Sequence, residues 1–220
     1  MRYLAALDHD HLDNGIFLTA LARSLGQQQQ SDNNIHSIIV HTDSEYTERI
    51  IQTGVMREEA TVRSLKDLNK RLVALLADEG VSTIGINPYK RNFITLKDGK
   101  LQLDRSFLKN ISNQPVLLIS TLIQDLDRNK EASIQLPRLI SFLQKELNSD
   151  KLVIFSKSDK ADIFTNNNMP SKISWESMDK KFREVQIPDE FSKLNRRCYL
   201  TTARDFGQFP SLKNAILIEK

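Results

Sequence analysis

The feature that most constrains this chain is an alternation: short apolar, β-branched runs take turns with segments whose apolar residues recur every three or four positions. The first pattern suits a buried strand and the second is one face of a helix, so their alternation predicts a parallel sheet with crossover helices. Tyr3 to Leu7 is the first strand. Asn14-Gly15 then opens a helix through Ile16, Leu18, Leu21, Ala22 and Leu25. Gly26 is expected to stop it, leaving Gln27 to Asn34 as a polar surface loop. Ile35 to Val40 is a second strand running into His41, and Ser44 is placed to cap a helix that ends near Gly54.

Further on, Val62, Leu65, Leu68, Leu72, Leu75 and Leu76 give the stretch from Glu58 to Glu79 one apolar face, and Gly80 ends it. Val81 to Ile86 is a third strand. Asp98-Gly99, between alternating apolar positions from Asn92 to Leu103, is the residue pair of a two-residue hairpin turn. Pro115 to Thr121 is another buried strand, Leu136 to Leu147 a helix, Leu152 to Phe155 a strand and Asn166 to Asn168 a loop. Strands are expected again at Tyr199 to Thr202 and Ala215 to Ile218. With 220 residues and no evident linker, one domain is expected.

Composition excludes several classes. Hydrophobic residues at 40% and charged residues at 27% are those of an ordinary globular protein. The first apolar run meets Asp8 and Asp10 too soon for a signal peptide, and no run approaches the roughly 18 residues of a membrane span. A lone cysteine, Cys198, forms no internal disulfide or cysteine knuckle, which points to the cytoplasm. A net charge of +3 is nearly balanced, and the Lys180-Lys181 and Arg196-Arg197 pairs lack interleaved aromatics. Neither nucleic acid nor a membrane is expected as a partner.

The middle of the chain is more distinctive. A strand ending in Val40-His41 is followed by Glu59-Ala60-Thr61 at a helix start, then Asn69-Lys70-Arg71-Leu72-Val73-Ala74-Leu75-Leu76. That helix runs into Gly80-Val81 with Gly85, and the hairpin turn Lys97-Asp98-Gly99 and the strand Pro115 to Ile119 come next. This order resembles the amino acid kinase family, N-acetylglutamate kinases in particular, from about Ile35 to Thr121. The resemblance implies a three-layer αβα sandwich with a mostly parallel central sheet and a shortened C-terminal part. Residues 1–125 would be the substrate-side half and 126–220 the nucleotide-side half. It also implies ATP and Mg as cofactors wherever kinase activity is retained, an acidic metabolite as substrate, and pairing as a dimer or with an active paralogue.

Phosphoryl transfer from ATP is positioning and charge neutralisation, so it calls for lysines, close-approach glycines and an organising acid. The family pattern has these, and this chain departs from it at each. Where the family's first strand leads to a lysine and a Gly-Gly turn, this chain reads Leu7-Asp8-His9-Asp10, and its first lysine is Lys66. The turn after the second strand is His41-Thr42-Asp43-Ser44 rather than glycine-rich. The family's "N-A-D" falls at Gln135-Leu136-Pro137, and its "T-D-x-x-G" becomes Ser156-Lys157-Ser158-Asp159-Lys160. Of "G-G-M-x-x-K", Asn168 to Lys172 is read as the remnant. Lys157, Asp159 and Lys172 are therefore the nucleotide-side candidates. Asp8, His9, Asp10, His41, Thr42, Asp43, Ser44 and Arg57 are the ligand-binding candidates, with Arg57 able to clamp a carboxylate.

These residues raise a further possibility. His9, His11 and His41, with the neighbouring aspartates, follow two strands, and imidazole with carboxylate is a competent shell for zinc, manganese or iron. His9 to Gly15, reading H-D-H-L-D-N-G, resembles the opening motif of DHH phosphoesterases, less one acid. Three functions are thus expected in order: a kinase-like protein that binds a ligand or regulates without catalysis, a divergent N-acetylglutamate kinase-like phosphotransferase of arginine biosynthesis, and a metal-dependent hydrolase.

Overall fold

β1 (Arg2–Leu7) lies inside the larger of two sheets, and its residues Tyr3 to Leu7 are buried on both faces. Such a strand reads as a continuous apolar run because helices cover it above and below. The structure is a computed structural model that describes residues 2–31, 36–109, 115–149, 151–166, 169–194, 196–209 and 214–220. After β1 come α1 (His9–Leu12), α2 (Gly15–Ser31), β2 (His36–His41), α3 (Tyr46–Gln52), α4 (Arg57–Asp78) and β3 (Thr83–Ile86). Next are β4 (Ile94–Lys97), β5 (Lys100–Leu103), α5 (Arg105–Lys109), β6 (Val116–Ser120), β7 (Leu122–Asp125), β8 (Lys130–Ser133) and α6 (Leu136–Glu146). The chain continues with β9 (Lys151–Phe155), α7 (Ile163–Asn166), β10 (Lys172–Ser174), α8 (Lys180–Gln186), β11 (Cys198–Thr201) and β12 (Ile216–Glu219). Short 3₁₀ turns lie at Lys90–Asn92, Asp189–Phe191 and Asp205–Gln208.

The larger sheet has the order β10-β12-β11-β9-β1-β2-β6-β3, and its neighbours run parallel except β11 and β12. Period-two alternation divides β1 between two cores. Tyr3, Ala5 and Leu7 pack with Leu21, Leu25, Leu68 and Leu72 of α2 and α4. Leu4 and Ala6 pack with Leu136, Leu139, Ile140 and Leu143 of α6. The result is the expected three-layer αβα arrangement. Each of these buried leucines or isoleucines contributes roughly 1.5–3 kcal/mol relative to exposure.

Helix α4 approaches the sheet at Gly85, where a Cβ would come 2.5 Å from Asn69 Oδ1 and 2.8 Å from Val73 Cγ2. Only glycine fits there without displacing Asn69. The hairpin of β4 and β5 turns at Asp98 and Gly99, both at positive φ, as the Asp-Gly pair predicts.

Three sequence expectations are corrected. Helix α2 does not stop at Gly26 but runs to Ser31, because the glutamines bond tertiary partners. Gln28 is buried, accepts a 2.6 Å hydrogen bond from the Tyr3 hydroxyl and donates to the Phe206 carbonyl. Residues 32–35 of the expected loop and strand start lie outside the described residues. The second sheet, ordered β5-β4-β7-β8, was only half anticipated. The apolar run of β6 breaks at Thr121 and continues in this other sheet as β7. The expected loop from Asn166 begins as the last residue of α7, and residues 167 and 168 lie outside the described residues.

Candidate functional site

Strand register brings the carboxyl ends of the sheet into one row. Leu7 pairs with His41, His41 with Ser120, Ala6 with Ile154, and Phe155 with Thr201. The turns that follow form the rim of a crevice, which is where open α/β sheets bind ligands. Asp8 follows β1, Thr42 to Ser44 follow β2, and Ser156 to Asp159 follow β9.

The buried histidines on this rim are fully engaged. The His11 Nδ1 bonds the Asp8 carboxylate, and its Nε2 lies 2.9 Å from the Ser156 carbonyl. The ring stacks on Phe17 at a 4.0 Å centroid separation. His11 thus ties the end of β1 to the end of β9. His41 is wholly buried, with Nδ1 2.9 Å from the Thr42 carbonyl and Nε2 3.0 Å from Asn69 Nδ2. A carbonyl only accepts and an amide nitrogen only donates, so Nδ1 carries the proton and Nε2 accepts. Burial pushes the His41 pKa down to about 4, which keeps this neutral tautomer.

This is why His9, His11 and His41 do not assemble a metal shell. Two of the three rings have spent both nitrogens, and no group of three His, Cys, Asp or Glu side chains placed to hold a metal exists among the described residues. His9 is half-buried and Asp10 exposed. Asp43 accepts hydrogen bonds from the Thr42 hydroxyl at 3.2 Å and the Thr47 hydroxyl at 3.0 Å. Ser44 is buried and its Oγ accepts the Tyr46 N–H, while Glu45 stands at the N-cap of α3 without a side-chain capping bond. Arg57 is exposed and grips Glu48 through two contacts of 2.6 and 3.2 Å, so its guanidinium is already paired.

On the other flank, Lys157 Nζ is 2.7 Å from Asp189 Oδ1 and 3.3 Å from the Glu184 carbonyl. Asp159 is half-buried beside it. Lys172 is not brought to the rim: it lies on β10, the outermost strand, four places from β1. The Asp189–Phe191 turn packs through buried Phe191 against the α6 side of the sheet, and Lys193 follows it.

Glu190 is the crevice residue that sequence reasoning missed. Its carboxyl accepts the Leu136 N–H at the start of α6, and Asp8, Asp43 and His9 are near enough to act on it electrostatically. Burial first, then Asp8 and Asp43, push its pKa up to about 7. Its Oε2 is buried without a hydrogen-bond partner. Glu190 itself lines a cleft of about 790 Å³ together with Arg138, Lys193 and Arg196. Cys198 is buried in β11, and burial raises its thiol pKa, as for a structural cysteine.

A mostly parallel sheet between helical layers, with its polar turns gathered at the strand ends, defines an open-sheet α/β protein with a rim crevice. Compared by sequence, the chain matches no family model and no curated protein. Its structure resembles isopentenyl phosphate kinase, with a TM-score of 0.62 and 15% identity over 99% of this chain and 100% of that one. It also resembles N-acetylglutamate synthase from Neisseria gonorrhoeae complexed with coenzyme A and L-arginine, with a TM-score of 0.65 and 13% identity, covering 100% of this chain and 61% of that one. A third likeness is to aspartate kinase from Synechocystis, with a TM-score of 0.63 and 10% identity, covering 90% of this chain and 37% of that one. The fold is that of the amino acid kinases. Among the described residues, no helix is long and apolar enough to cross a membrane.

Proposed function

We propose that this is an amino acid kinase-like protein that binds a small metabolite or regulates a partner without transferring phosphate. The carrying observation is Glu190, whose carboxyl accepts the first N–H of α6, with Asp8 and Asp43 near enough to raise its pKa. A helix N-terminus is a natural seat for a phosphate. Here a carboxyl group takes that seat, and ATP phosphates brought there would meet Asp8, Asp43 and, wherever it is ionised, Glu190. The two cations assigned to the crevice, Arg57 and Lys157, are each held by a carboxylate. The residues present therefore fit a nucleoside triphosphate with Mg poorly. A small acidic metabolite reaching the rim would have to displace Glu48 from Arg57. Pairing as a dimer, or with an active paralogue, is part of the same reading, as is a cytoplasmic location.

A second reading, a divergent phosphotransferase of the N-acetylglutamate kinase type, draws support from Lys193. With Arg138 and Arg196 it lines the cleft that Glu190 also borders, three cations suited to phosphate groups. A thermal-shift titration separates the two. With ATP and Mg, alone and with N-acetylglutamate, no saturable rise in melting temperature is expected. A saturable rise that Lys193→Ala abolishes would establish the phosphotransferase reading instead.

A further inference from the structure

Two places in the molecule offer positive charge to a small acidic ligand, and they differ in what their cations already hold. At the rim, Arg57 grips Glu48 and Lys157 grips Asp189, so an incoming anion competes with a carboxylate at each. The cleft of about 790 Å³ between α6 and the segment after the Asp189–Phe191 turn is different. Helix α6 contributes Arg138 and Ser141 to it, and the segment contributes Ser192, Lys193 and Arg196. Among the described residues, none of these three cations forms an ion pair. Arg138 Nη2 donates to the Gly99 carbonyl at 2.7 Å, which orients the guanidinium. The backbone of the opposite wall is held as well. Leu194 is buried, its N–H donates to the Phe191 carbonyl at 2.9 Å, and the Arg196 carbonyl accepts the Trp175 indole N–H at 2.7 Å. Walls fixed before a ligand arrives lower the cost of binding it.

Asp189 and Glu190 share the cleft. Asp189 is neutralised by Lys157, which lies outside the lining, so positive charge stays in excess even with Glu190 ionised. Like charges gathered on one concavity repel, and an anion that meets several of them relieves the repulsion. From this arrangement we propose that the cleft of Arg138, Lys193 and Arg196 is the seat of a compact anion carrying two or more carboxylate or phosphate groups. Guanidinium forks take the oxygens of such groups in pairs, the Lys193 ammonium adds a point charge, and the two serines offer hydroxyls. This seat rests on the reading of the chain as a binder of a small acidic metabolite, and it places that ligand here rather than on Arg57. ATP with Mg brings its own cation to the phosphates, so it offers the cleft less than a metal-free anion does.

The probes are tricarballylate and inorganic diphosphate, each free of Mg, at an ionic strength held constant with sodium chloride. In thermal-shift titrations of the full chain, at least one is expected to give a saturable rise in melting temperature. A rise with only one of them assigns the ligand to carboxylates or to phosphates. Lys193→Gln and Arg196→Gln change exposed side chains and are checked for folding by circular dichroism. Each is expected to raise the half-saturating concentration about tenfold, as losing one charge-assisted hydrogen bond would. Arg23→Gln, at an exposed arginine of α2 outside the cleft, is expected to leave it unchanged. No saturable rise with either probe would overturn the seat, and so would a half-saturation that both cleft variants leave unmoved. An equal shift in Arg23→Gln would overturn it too, as a general response to charge. A silent cleft leaves the functional reading to the titration with ATP and Mg, and a saturable rise there overturns that reading whatever the metal-free probes do.

Discussion

At the ends of β1 and β2, Asp8, His11, His41 and Asn69 each have hydrogen-bond partners, whereas across the crevice the Asp189–Phe191 turn leaves Glu190 Oε2 with none. Both regions are polar, partly or wholly buried, and set at the carboxyl ends of the sheet. The difference lies in what each group touches. The histidines are spent on holding strands and helices together, which fixes geometry and removes them from chemistry. The carboxyl of Glu190 is held only in part, and a group left short of partners in a cleft is the one whose protonation can change something. Residue type alone would have ranked these two regions the other way.

Three experiments break or sharpen that contrast. The largest effect is expected from His11→Ala, which leaves the buried Asp8 carboxylate without its partner. Leaving a buried hydrogen-bonding group without its partner costs about 1–3 kcal/mol, and deleting the ring against Phe17 adds a cavity, so the urea midpoint should fall sharply. A loss below about 1 kcal/mol would mean that the clasp between β1 and β9 is not structural.

Next comes the acid limb. His41 has a pKa of about 4 when folded and 6.5 as its ordinary value, so the unfolded chain takes up the proton first. The stability it contributes is fully present above about pH 6.5 and is lost as pH falls through about 4, amounting to roughly 3 kcal/mol. Glu190 titrates in the opposite sense: its raised pKa gives stability that is present below about 4.5 and lost as pH rises through 7. The test is therefore the difference between wild type and His41→Gln, measured by urea unfolding from pH 4 to 7.5. A difference independent of pH would show that folding leaves the His41 pKa unshifted.

The smallest effect belongs to Arg57→Ala. Its pair with Glu48 is fully solvent-exposed, and exposed pairs contribute little. No measurable change in the urea midpoint is expected. A clear loss of stability would make Arg57 part of the framework rather than a removable surface contact.

How much of this could be read from residues follows a physical rule. The strands β1, β2, β6 and β9 were legible because burial on both faces leaves an uninterrupted apolar run. The β4–β5 hairpin was legible because Asp98 and Gly99 suit the turn's backbone. What could not be read depends on partners distant in the chain. The end of α2 is set by Gln28 reaching Tyr3, 25 positions away, and Phe206, 178 positions away. The roles of His11 and His41 are set by Ser156 and Asn69, at separations of 145 and 28. Sequence placed both histidines at strand ends but could not tell that their nitrogens were already taken. Sequence pointed to Lys172 as the heir of the family's lysine, on the Asn168 to Lys172 remnant, because the glycines that would have marked the motif are absent.

The place of β1 has a consequence for the order in which the molecule can be made. One edge of β1 pairs with β2, only about thirty residues later, but the other waits for β9, which ends at Phe155. A growing chain can join β1, β2, β6 and β3 from the first 120 residues, and that half-sheet then has the edge of β1 open. An unpaired apolar strand edge is a template for wrong pairing, and long-range parallel contacts close slowly. The innermost strand of the finished protein is thus the most vulnerable one during synthesis, until β9 emerges and seals it.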